Sequence, residues 1–173
     1  AVRRLHDAGI MVNASFVFGM DHHTPDVFAR TAEWAISRGI ETATFHVLTP
    51  YPGTSLYTRL EREGRIITRD WDRYDTRHCV IEHPTMSPAE IEAGYHRARR
   101  MFYSWKGITS ASLARETTGE KLRHFAYSAA WKKAGPVWDA AISLGALPYA
   151  RPALEAVLDG TQWVRRAFGL AEA

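Results

Sequence analysis

The chain has 173 residues, 46% of them hydrophobic and 24% charged, with a formal net charge of +3. Its single cysteine, Cys79, excludes an internal disulfide and any metal site built from a cysteine cluster. No uncharged apolar run approaches the ~20 residues of a membrane span, so we predict a cytoplasmic protein. The basic residues are dispersed and accompany no nucleic-acid motif, which favours a solvated surface over a nucleic-acid site.

The first two predicted elements are a helix and a strand. Apolar residues at helical spacing predict a helix over residues 2–8, ended by Gly9. The nearly continuous apolar run at residues 10–18 predicts a strand covered on both faces, which stops at Gly19. Because the sequence begins at Ala1, inside a helical pattern, we expect it to be a piece of a longer polypeptide.

A second helix and strand follow. Thr24 as N-cap and Pro25 as first helical residue predict a helix that ends at Gly39. The stretch 43–54 predicts a buried strand that stops just before Pro50, because proline cannot donate to a sheet ladder. Alternation of helix and strand with short loops predicts a parallel sheet, whose ligands bind beyond the carboxyl ends of the strands.

Helices dominate the rest of the chain after an irregular segment. Thr54 or Ser55 starts a helix that Gly64 closes, and residues 68–85 predict a long loop. Ser87 and Glu90 form a capping box around Pro88. One apolar stripe of the next helix is predicted to contain Ile91, Tyr95, Ala98, Phe102 and Trp105.

The last part of the chain predicts helices only. They cover residues 120–134, with a break at Gly135–Pro136, and then 136–144 and 152–158. The predicted fold class is therefore α/β, with a helical extension. We place the boundary between the α/β part, 1–86, and the helical extension, 87–173.

Two candidate sites lie where the first strand ends. Gly19 lets a ligand approach the backbone, or it simply permits a tight turn. Asp21, His22 and His23 contain metal-binding side chains, but adjacent histidines diverge and no third ligand is specified, so polar loop residues are the favoured interpretation. In that interpretation Asp21 offsets the dipole of the next helix.

The second strand carries a histidine and ends in hydroxyl groups. His46 is either an acid or base pointing into a barrel or a hydrogen-bonded core residue. Thr49, Tyr51 and Thr54 surround the Pro-Gly turn, where their hydroxyls either bind a small polar ligand or stabilise the turn.

The loop 70–78 combines aromatic, acidic and basic residues. Tyr74 and His78 are candidates for substrate contact, and Asp75 is expected to pair with Arg73 or Arg77. An ion-pair lattice that only fixes the loop is the alternative. Cys79 beside an apolar run predicts a buried small hydrophobe rather than a nucleophile.

Several of these stretches together resemble a known family. Residues 15–21, 24–39 and 45–54 resemble the last third of a radical S-adenosylmethionine (radical SAM) barrel, and residues 70–78 and 86–105 sharpen the match. The subgroup they resemble carries a cobalamin-binding domain and includes the hopanoid methylases. Residues 124–133 and 152–158 resemble the C-terminal extension of that subgroup.

The resemblance implies a fold and a set of site residues. The α/β part would be the C-terminal portion of a radical SAM partial (β/α) barrel. Val17 and Gly19 match the adenine-contacting strand, whose contacts are mainly backbone, and Thr49 and Pro50 match the loop near the cofactor. The substrate-side candidates are His46, Tyr51, Tyr74, Asp75 and His78.

The resemblance also implies cofactors that this chain does not hold alone. The full-length enzyme would use S-adenosylmethionine and a [4Fe–4S] cluster, with cobalamin as a further candidate. The cluster needs three closely spaced cysteines, and Cys79 is the only one here. We therefore expect a fragment that supplies the adenine-side and substrate-side walls, partnered by the missing N-terminal half. We assign no protein metal site to this chain.

Other functions stay open at this stage. The substrate is expected to be a small molecule, either lipid-like or a tetrapyrrole. The alternative to an enzyme fragment is a non-catalytic binding module that pairs with a partner chain. A weaker alternative is peripheral membrane contact through the aromatic, basic tail at residues 124–168.

Overall fold

The computed structural model describes the backbone of residues 1–143 and the side chains of residues 1–132. Residues 1–130 form one compact unit, and a second unit starts at Trp131. The predicted helix at 152–158 lies outside the described residues, and the predicted division after residue 86 stays a prediction. The elements in chain order are α1 Val2–Asp7, β1 Asn13–Phe18, α2 Val27–Ser37, β2 Thr42–Val47, α3 Ser55–Arg62, a 3₁₀ turn Trp71–Arg73, α4 Pro88–Phe102, α5 Trp105–Leu113 and α6 Thr118–Ser143.

The two strands pair in parallel, as the alternation predicted. Phe16 lies opposite Phe45, and beyond the strands the Leu48 N–H donates to Phe18 O at 2.7 Å. Both strands therefore end at the same edge of the sheet. The structure confirms an α/β chain with a two-stranded parallel sheet.

One face of this sheet carries the core. Phe18 stacks on Phe45 with ring centroids 5.8 Å apart and packs on Phe28 of α2 at 4.8 Å. Phe102 of α4 makes an edge contact with the Phe45 ring at 5.9 Å. The residues of both strands on this face thus pack under α2 and α4.

The opposite face of the sheet is open in the described part of the chain. Asn13, Ser15 and Thr44 are exposed on it, Val17 is 37% exposed, and His46 is half-buried. The prediction that the first strand is covered on both faces is therefore wrong. The apolar run correctly predicted a strand, but α2 and α4 cover only its other face.

The outer edge of β2 is covered by groups from the same chain. The Tyr103 hydroxyl donates to Ala43 O at 2.9 Å and accepts from the Ala43 N–H at 3.1 Å. Further along, the Val47 N–H donates to Thr76 O at 2.7 Å. These contacts cover one edge of the sheet, and in the described residues the unpaired edge is that of β1.

Several helix boundaries follow their sequence signals. The Thr54 hydroxyl accepts from the Tyr57 N–H, and Ser87 and Glu90 form the predicted capping box. Gly9, Gly39 and Gly64 all have positive φ directly after helix ends, as their positions predicted.

The start of α2 and the end of α4 differ from prediction. The helix α2 begins at Val27 rather than Pro25, because Thr24 O accepts the Val27 N–H in a preceding turn and Asp26 takes the N-cap position. The predicted stripe through Trp105 is interrupted. The Ser104 hydroxyl caps a new helix there, and Trp105 is 49% exposed.

The third difference concerns α6. It continues through Gly135 and Pro136 to Ser143, so the predicted break at Gly135–Pro136 is wrong. A proline inside a helix removes one backbone hydrogen bond, and the helical backbone on both sides tolerates that loss here.

A buried polar cluster joins the start of both strands to the helical half of unit 1–130. The Arg115 guanidinium donates to Glu41 Oε1, and the Val12 N–H donates to Glu41 Oε2 at 3.0 Å. The two side chains are only 7% and 2% exposed. His6 Nε2 lies 3.5 Å from the same carboxylate, and the Ser128 hydroxyl donates to Glu41 O at 3.0 Å. No local sequence pattern marks this cluster.

Candidate functional site

The candidate site is the rim where β1 and β2 both end. Gly19 follows β1 with φ +91°, a conformation that favours glycine. A Cβ at Gly19 would meet Leu48 Cβ at 3.7 Å and Ile91 Cγ2 at 3.8 Å, which is ordinary contact. The backbone conformation, rather than crowding, therefore requires glycine. Gly19 therefore lies beside the end of β2, as expected for parallel strands whose carboxyl ends meet at one edge of the sheet.

The threonine hydroxyl groups of the turn after β2 donate hydrogen bonds to backbone carbonyl groups two or three residues earlier. Thr49 is buried and its hydroxyl donates to Val47 O at 3.0 Å, and Pro50 is fully buried. The Thr54 hydroxyl donates to Tyr51 O at 2.7 Å while it caps α3. Turn stabilisation thus accounts for Thr49 and Thr54, whereas the Tyr51 side chain is 48% exposed at the rim.

His46 lies on the open face of the sheet, in register with Val17. Its Nδ1 is 3.1 Å from the Thr76 hydroxyl. Thr76 has φ +63° and is the one residue other than glycine with positive φ in the described part of the chain. The contact between a β2 histidine and the 70–78 loop places that loop against the rim.

The 70–78 loop is organised by Asp75. Its Oδ1 accepts the N–H groups of Arg77 at 2.8 Å and His78 at 3.0 Å, and it lies 3.1 Å from His78 Nδ1. Burial acts to raise the pKa of Asp75, but these hydrogen bonds outweigh it and lower that pKa. The expected pairing of Asp75 with Arg73 or the Arg77 side chain is wrong, because the turn places the backbone N–H groups of Arg77 and His78 and the His78 ring against the carboxylate.

Tyr74 is an anchor of this loop rather than an exposed contact. It is 7% exposed, its hydroxyl donates to Thr68 O at 2.9 Å, and its ring packs on Trp71. Burial raises the pKa of the Tyr74 hydroxyl. Of the substrate-side candidates, His46 and His78 are half-buried and Tyr51 is exposed.

The loop after β1 is fastened to the rim by contacts that the sequence did not reveal. Arg65 donates to both carboxylate oxygens of Asp21, at 2.6 and 3.2 Å, and these hydrogen bonds lower the pKa of Asp21. Asp21 therefore pairs with the Arg65 side chain. His83 Nδ1 accepts the N–H groups of Thr85 and Met86, so its Nε2 carries the hydrogen and donates to Met20 O at 2.9 Å.

The histidines after β1 line a groove that also contains residues of β1 and α2. The Met20 N–H donates to His23 Nδ1 at 3.3 Å, and burial lowers the pKa of His23. A groove of about 570 Å³ lies between this loop, β1 and α2, and it is lined by Phe16, His22, His23, Thr24, Arg30 and Trp34. Among residues 1–132 no three histidine, cysteine or acidic side chains are arranged to hold a metal ion.

Cys79 is a buried structural residue, as predicted. It is 1% exposed, its thiol donates to Ile81 O at 3.3 Å, and burial raises its pKa. A thiol in this state is a poor nucleophile and a poor metal ligand. None of the described helices is long and apolar enough to cross a membrane.

The chain is similar to several known proteins. The family described as "Domain of unknown function (DUF4070)" matches residues 54–148, more than half of the chain. A bacteriochlorophyllide d C-12(1)-methyltransferase of Chlorobaculum tepidum is 30% identical over 107 residues, which cover 62% of this chain and 23% of that protein. A bacteriochlorophyllide d C-8(2)-methyltransferase of the same organism is 27% identical over 126 residues, or 73% of this chain and 27% of that protein.

A third relative carries out a different named reaction. The anaerobic magnesium-protoporphyrin IX monomethyl ester cyclase of Cereibacter sphaeroides is 25% identical over 108 residues, or 62% of this chain and 17% of that protein. The chain thus spans about a quarter or less of the length of these curated relatives. The family match, together with these relatives, shows that the chain belongs to the DUF4070 family and is a member of the radical SAM family.

Proposed function

We propose that this chain forms the C-terminal part of a radical SAM enzyme that modifies a tetrapyrrole, and that its open sheet face is one wall of the active site. The observation that carries the proposal is the parallel sheet with one covered face and one open face. Its strands end together beside Gly19 and Thr49, where α/β folds bind ligands. In this view the two strands are the last strands of a partial (β/α) barrel.

The two edges of the sheet support this arrangement. Tyr103 and Thr76 occupy the outer edge of β2, whereas no described residue pairs with the outer edge of β1. An unpaired strand edge is a template for another strand. Around it Ile10, Met11 and Val17 are 51%, 45% and 37% exposed. We infer that the preceding strands of a barrel, from the N-terminal half of the enzyme, pair with this edge of β1 at Asn13 and Ser15 and leave Val17 unpaired.

The residues of this chain do not provide the ligands for the iron–sulfur cluster of such an enzyme. A [4Fe–4S] cluster is held by cysteine thiolates, and Cys79 is buried with its thiol bonded to Ile81 O. The cluster must therefore be held by other polypeptide. We assign no residue of this chain to cobalamin.

S-adenosylmethionine, by contrast, fits the rim on its adenine side. Phe18 O bonds to β2, and backbone groups alternate in direction along a strand, so the Val17 N–H and C=O point to the unpaired edge of β1. Val17 and Gly19 would hydrogen-bond the adenine through their backbone, and the buried Thr49–Pro50 turn would form the adjoining wall. When bound and reduced, this cofactor supplies an adenosyl radical that abstracts a hydrogen atom from the substrate.

The substrate-side residues would line the same cavity. His46, Tyr51 and His78 present polar groups at or near the rim, while Tyr74 and Asp75 hold the loop that carries His78 in place. The named substrates of three relatives are tetrapyrroles, which favours that class over a lipid-like substrate. Two of those relatives are methyltransferases, so we propose methyl transfer as the reaction.

Photoaffinity labelling tests the adenine site directly. The complete polypeptide, reconstituted anaerobically, is irradiated with 8-azido-S-adenosylmethionine and digested with trypsin. We expect the label on the peptides of residues 5–30 and 39–59, which contain the two strand ends, and we expect excess unlabelled S-adenosylmethionine to remove it. Label confined to peptides of α5 or α6 would refute the proposed wall.

The substrate class is tested separately, with methyl-deuterated S-adenosylmethionine and a reductant. Bacteriochlorophyllide d and a hopanoid lipid are offered in parallel reactions, and mass spectrometry detects deuterated methyl groups in the product. Transfer to the tetrapyrrole supports the proposal, and transfer to the lipid alone contradicts it.

The second candidate function is a non-catalytic module that binds a partner chain through the same unpaired edge. The exposed apolar residues beside β1 are the observation in its favour. This module would bind the partner without reductive cleavage of S-adenosylmethionine. Formation of 5′-deoxyadenosine by the reconstituted complex therefore distinguishes the two functions.

A further inference from the structure

The most unusual backbone conformation in the described part of the chain lies beside the open sheet face. Thr76 has φ +63°, where the Cβ of a β-branched residue crowds its own backbone. Glycine or asparagine is the ordinary residue at such a position. Strain of this kind persists where surrounding contacts enforce it, and it points to a role for the side chain.

Two contacts enforce the conformation of Thr76. Its carbonyl accepts the Val47 N–H at 2.7 Å, which ties it to the edge of β2. On the other side, Asp75 Oδ1 accepts the N–H groups of Arg77 and His78, and this tight turn reverses the chain around Thr76. The result is that the Thr76 hydroxyl stands 3.1 Å from His46 Nδ1.

The histidine tautomer decides the direction of this hydrogen bond. We take the Thr76 hydroxyl as the donor, because His46 Nδ1 is the one acceptor within its reach among residues 1–132. The imidazole must then carry its own hydrogen on Nε2. No described residue accepts a hydrogen bond from His46 Nε2, although the ring lies on the open face beside Val17 and Thr44.

We propose that the 75–78 turn is a positioning device that fixes His46 as a hydrogen-bond donor to an acceptor oxygen of the substrate. Thr76 is the positioning residue, and the His46 Nε2–H group contacts a carboxylate or carbonyl oxygen of the bound tetrapyrrole. This assignment rests on the proposed function, because it takes the open sheet face to be the substrate wall. It explains why the strained position holds a residue with a hydroxyl group.

The first test measures the tautomer of His46 and needs no cofactor or substrate. Long-range ¹H–¹⁵N spectra of the full chain report the state of each of its eight histidines, and His46→Gln identifies the signals of His46. We expect the Nε2–H form to dominate in the wild type and in Thr76→Ser, which keeps the hydroxyl. We expect Thr76→Val and Thr76→Gly, which lack it, to shift toward the Nδ1–H form.

A comparison of melting temperatures separates positioning from stability. Thr76→Gly relieves the strain and should melt at a higher temperature than Thr76→Val, yet both should contain a larger Nδ1–H fraction than the wild type. If Thr76→Gly has the same tautomer fractions as the wild type, the hydroxyl does not position His46 and the proposal is overturned.

The second test measures binding of protoporphyrin IX, which has two carboxylates, to the complete polypeptide by fluorescence. We expect Thr76→Val to weaken binding about tenfold, which corresponds to one charge-assisted hydrogen bond, and Thr76→Ser to stay within about twofold. Equal binding by wild type and Thr76→Val would overturn the proposal. If the wild type itself does not bind this probe, the tetrapyrrole assignment fails, and the tautomer comparison alone decides the positioning role.

Discussion

Replacement of Glu41 by glutamine tests the buried cluster that joins the sheet to the helical half of unit 1–130. The carboxylate of Glu41 carries the charge that compensates the Arg115 guanidinium, and both side chains are almost completely buried. Glutamine keeps the shape and can still accept the Val12 N–H, which now lies 3.0 Å from Oε2. Glu41→Gln therefore removes the charge and little else.

The expected cost follows from what the change leaves behind. Burial lowers the pKa of Arg115, so the buried guanidinium charge is destabilised unless it is paired. Without Glu41 that charge has no buried counterion among residues 1–132. Breaking a buried pair by removing one partner costs about 3–5 kcal/mol. For a chain of this size that corresponds to a fall in melting temperature of roughly 6–20 °C.

Two matched variants make the test specific. Glu116→Gln breaks the Arg3–Glu116 pair, whose side chains are 83% and 72% exposed, and should cost less than about 1 kcal/mol. The double variant Glu41→Gln, Arg115→Met removes both charges and should recover most of the loss. Circular dichroism during heating gives the three melting temperatures. If Glu41→Gln is no more harmful than Glu116→Gln, the reasoning about burial is wrong.

Three further predictions concern protonation, packing and reactivity. Burial lowers the pKa of His124 below its ordinary value of 6.5, so near pH 6.5 the unfolded chain binds more protons than the folded chain. The free energy of unfolding should therefore be constant above about pH 7 and fall as the pH drops through 6.5. In His124→Gln the urea concentration at the unfolding midpoint should depend less on pH between pH 7.5 and 5.5 than in the wild type. If that pH dependence is unchanged, His124 is not its source. Gly94→Ala places a Cβ 2.4 Å from the Phe28 ring and should cost about 1–3 kcal/mol in thermal unfolding, whereas Gly119→Ala, with nothing within 4 Å, should not destabilise. Cys79 should resist Ellman's reagent in the native chain and react fully in denaturant; rapid native reaction would contradict its burial and raised pKa.

The sequence by itself determined the order and type of the elements in the α/β part. Strand ends at Gly19 and before Pro50, the Thr54 cap and the Ser87–Glu90 box are set by residues within a few positions of each other. Such local signals do not depend on the rest of the fold. The parallel pairing followed from them because a short helical crossover leaves few other topologies.

Which groups are available at the site depends on tertiary packing. Hydropathy along β1 reports that its residues are apolar, but whether a second layer covers them depends on elements elsewhere in the chain. The hydroxyls of Thr49 and Thr54 are occupied by nearby carbonyl groups, which composition alone does not reveal.

The contacts that the sequence missed join residues that are far apart in the chain. Glu41 and Arg115 are separated by 74 positions, and His46 and Thr76 by 30. No local pattern marks either pair, because each partner is an ordinary polar residue until the packing of the helices and the 75–78 turn brings it to the other. Burial then removes competing water from the Glu41–Arg115 pair, and this makes an ordinary glutamate part of a structural ion pair.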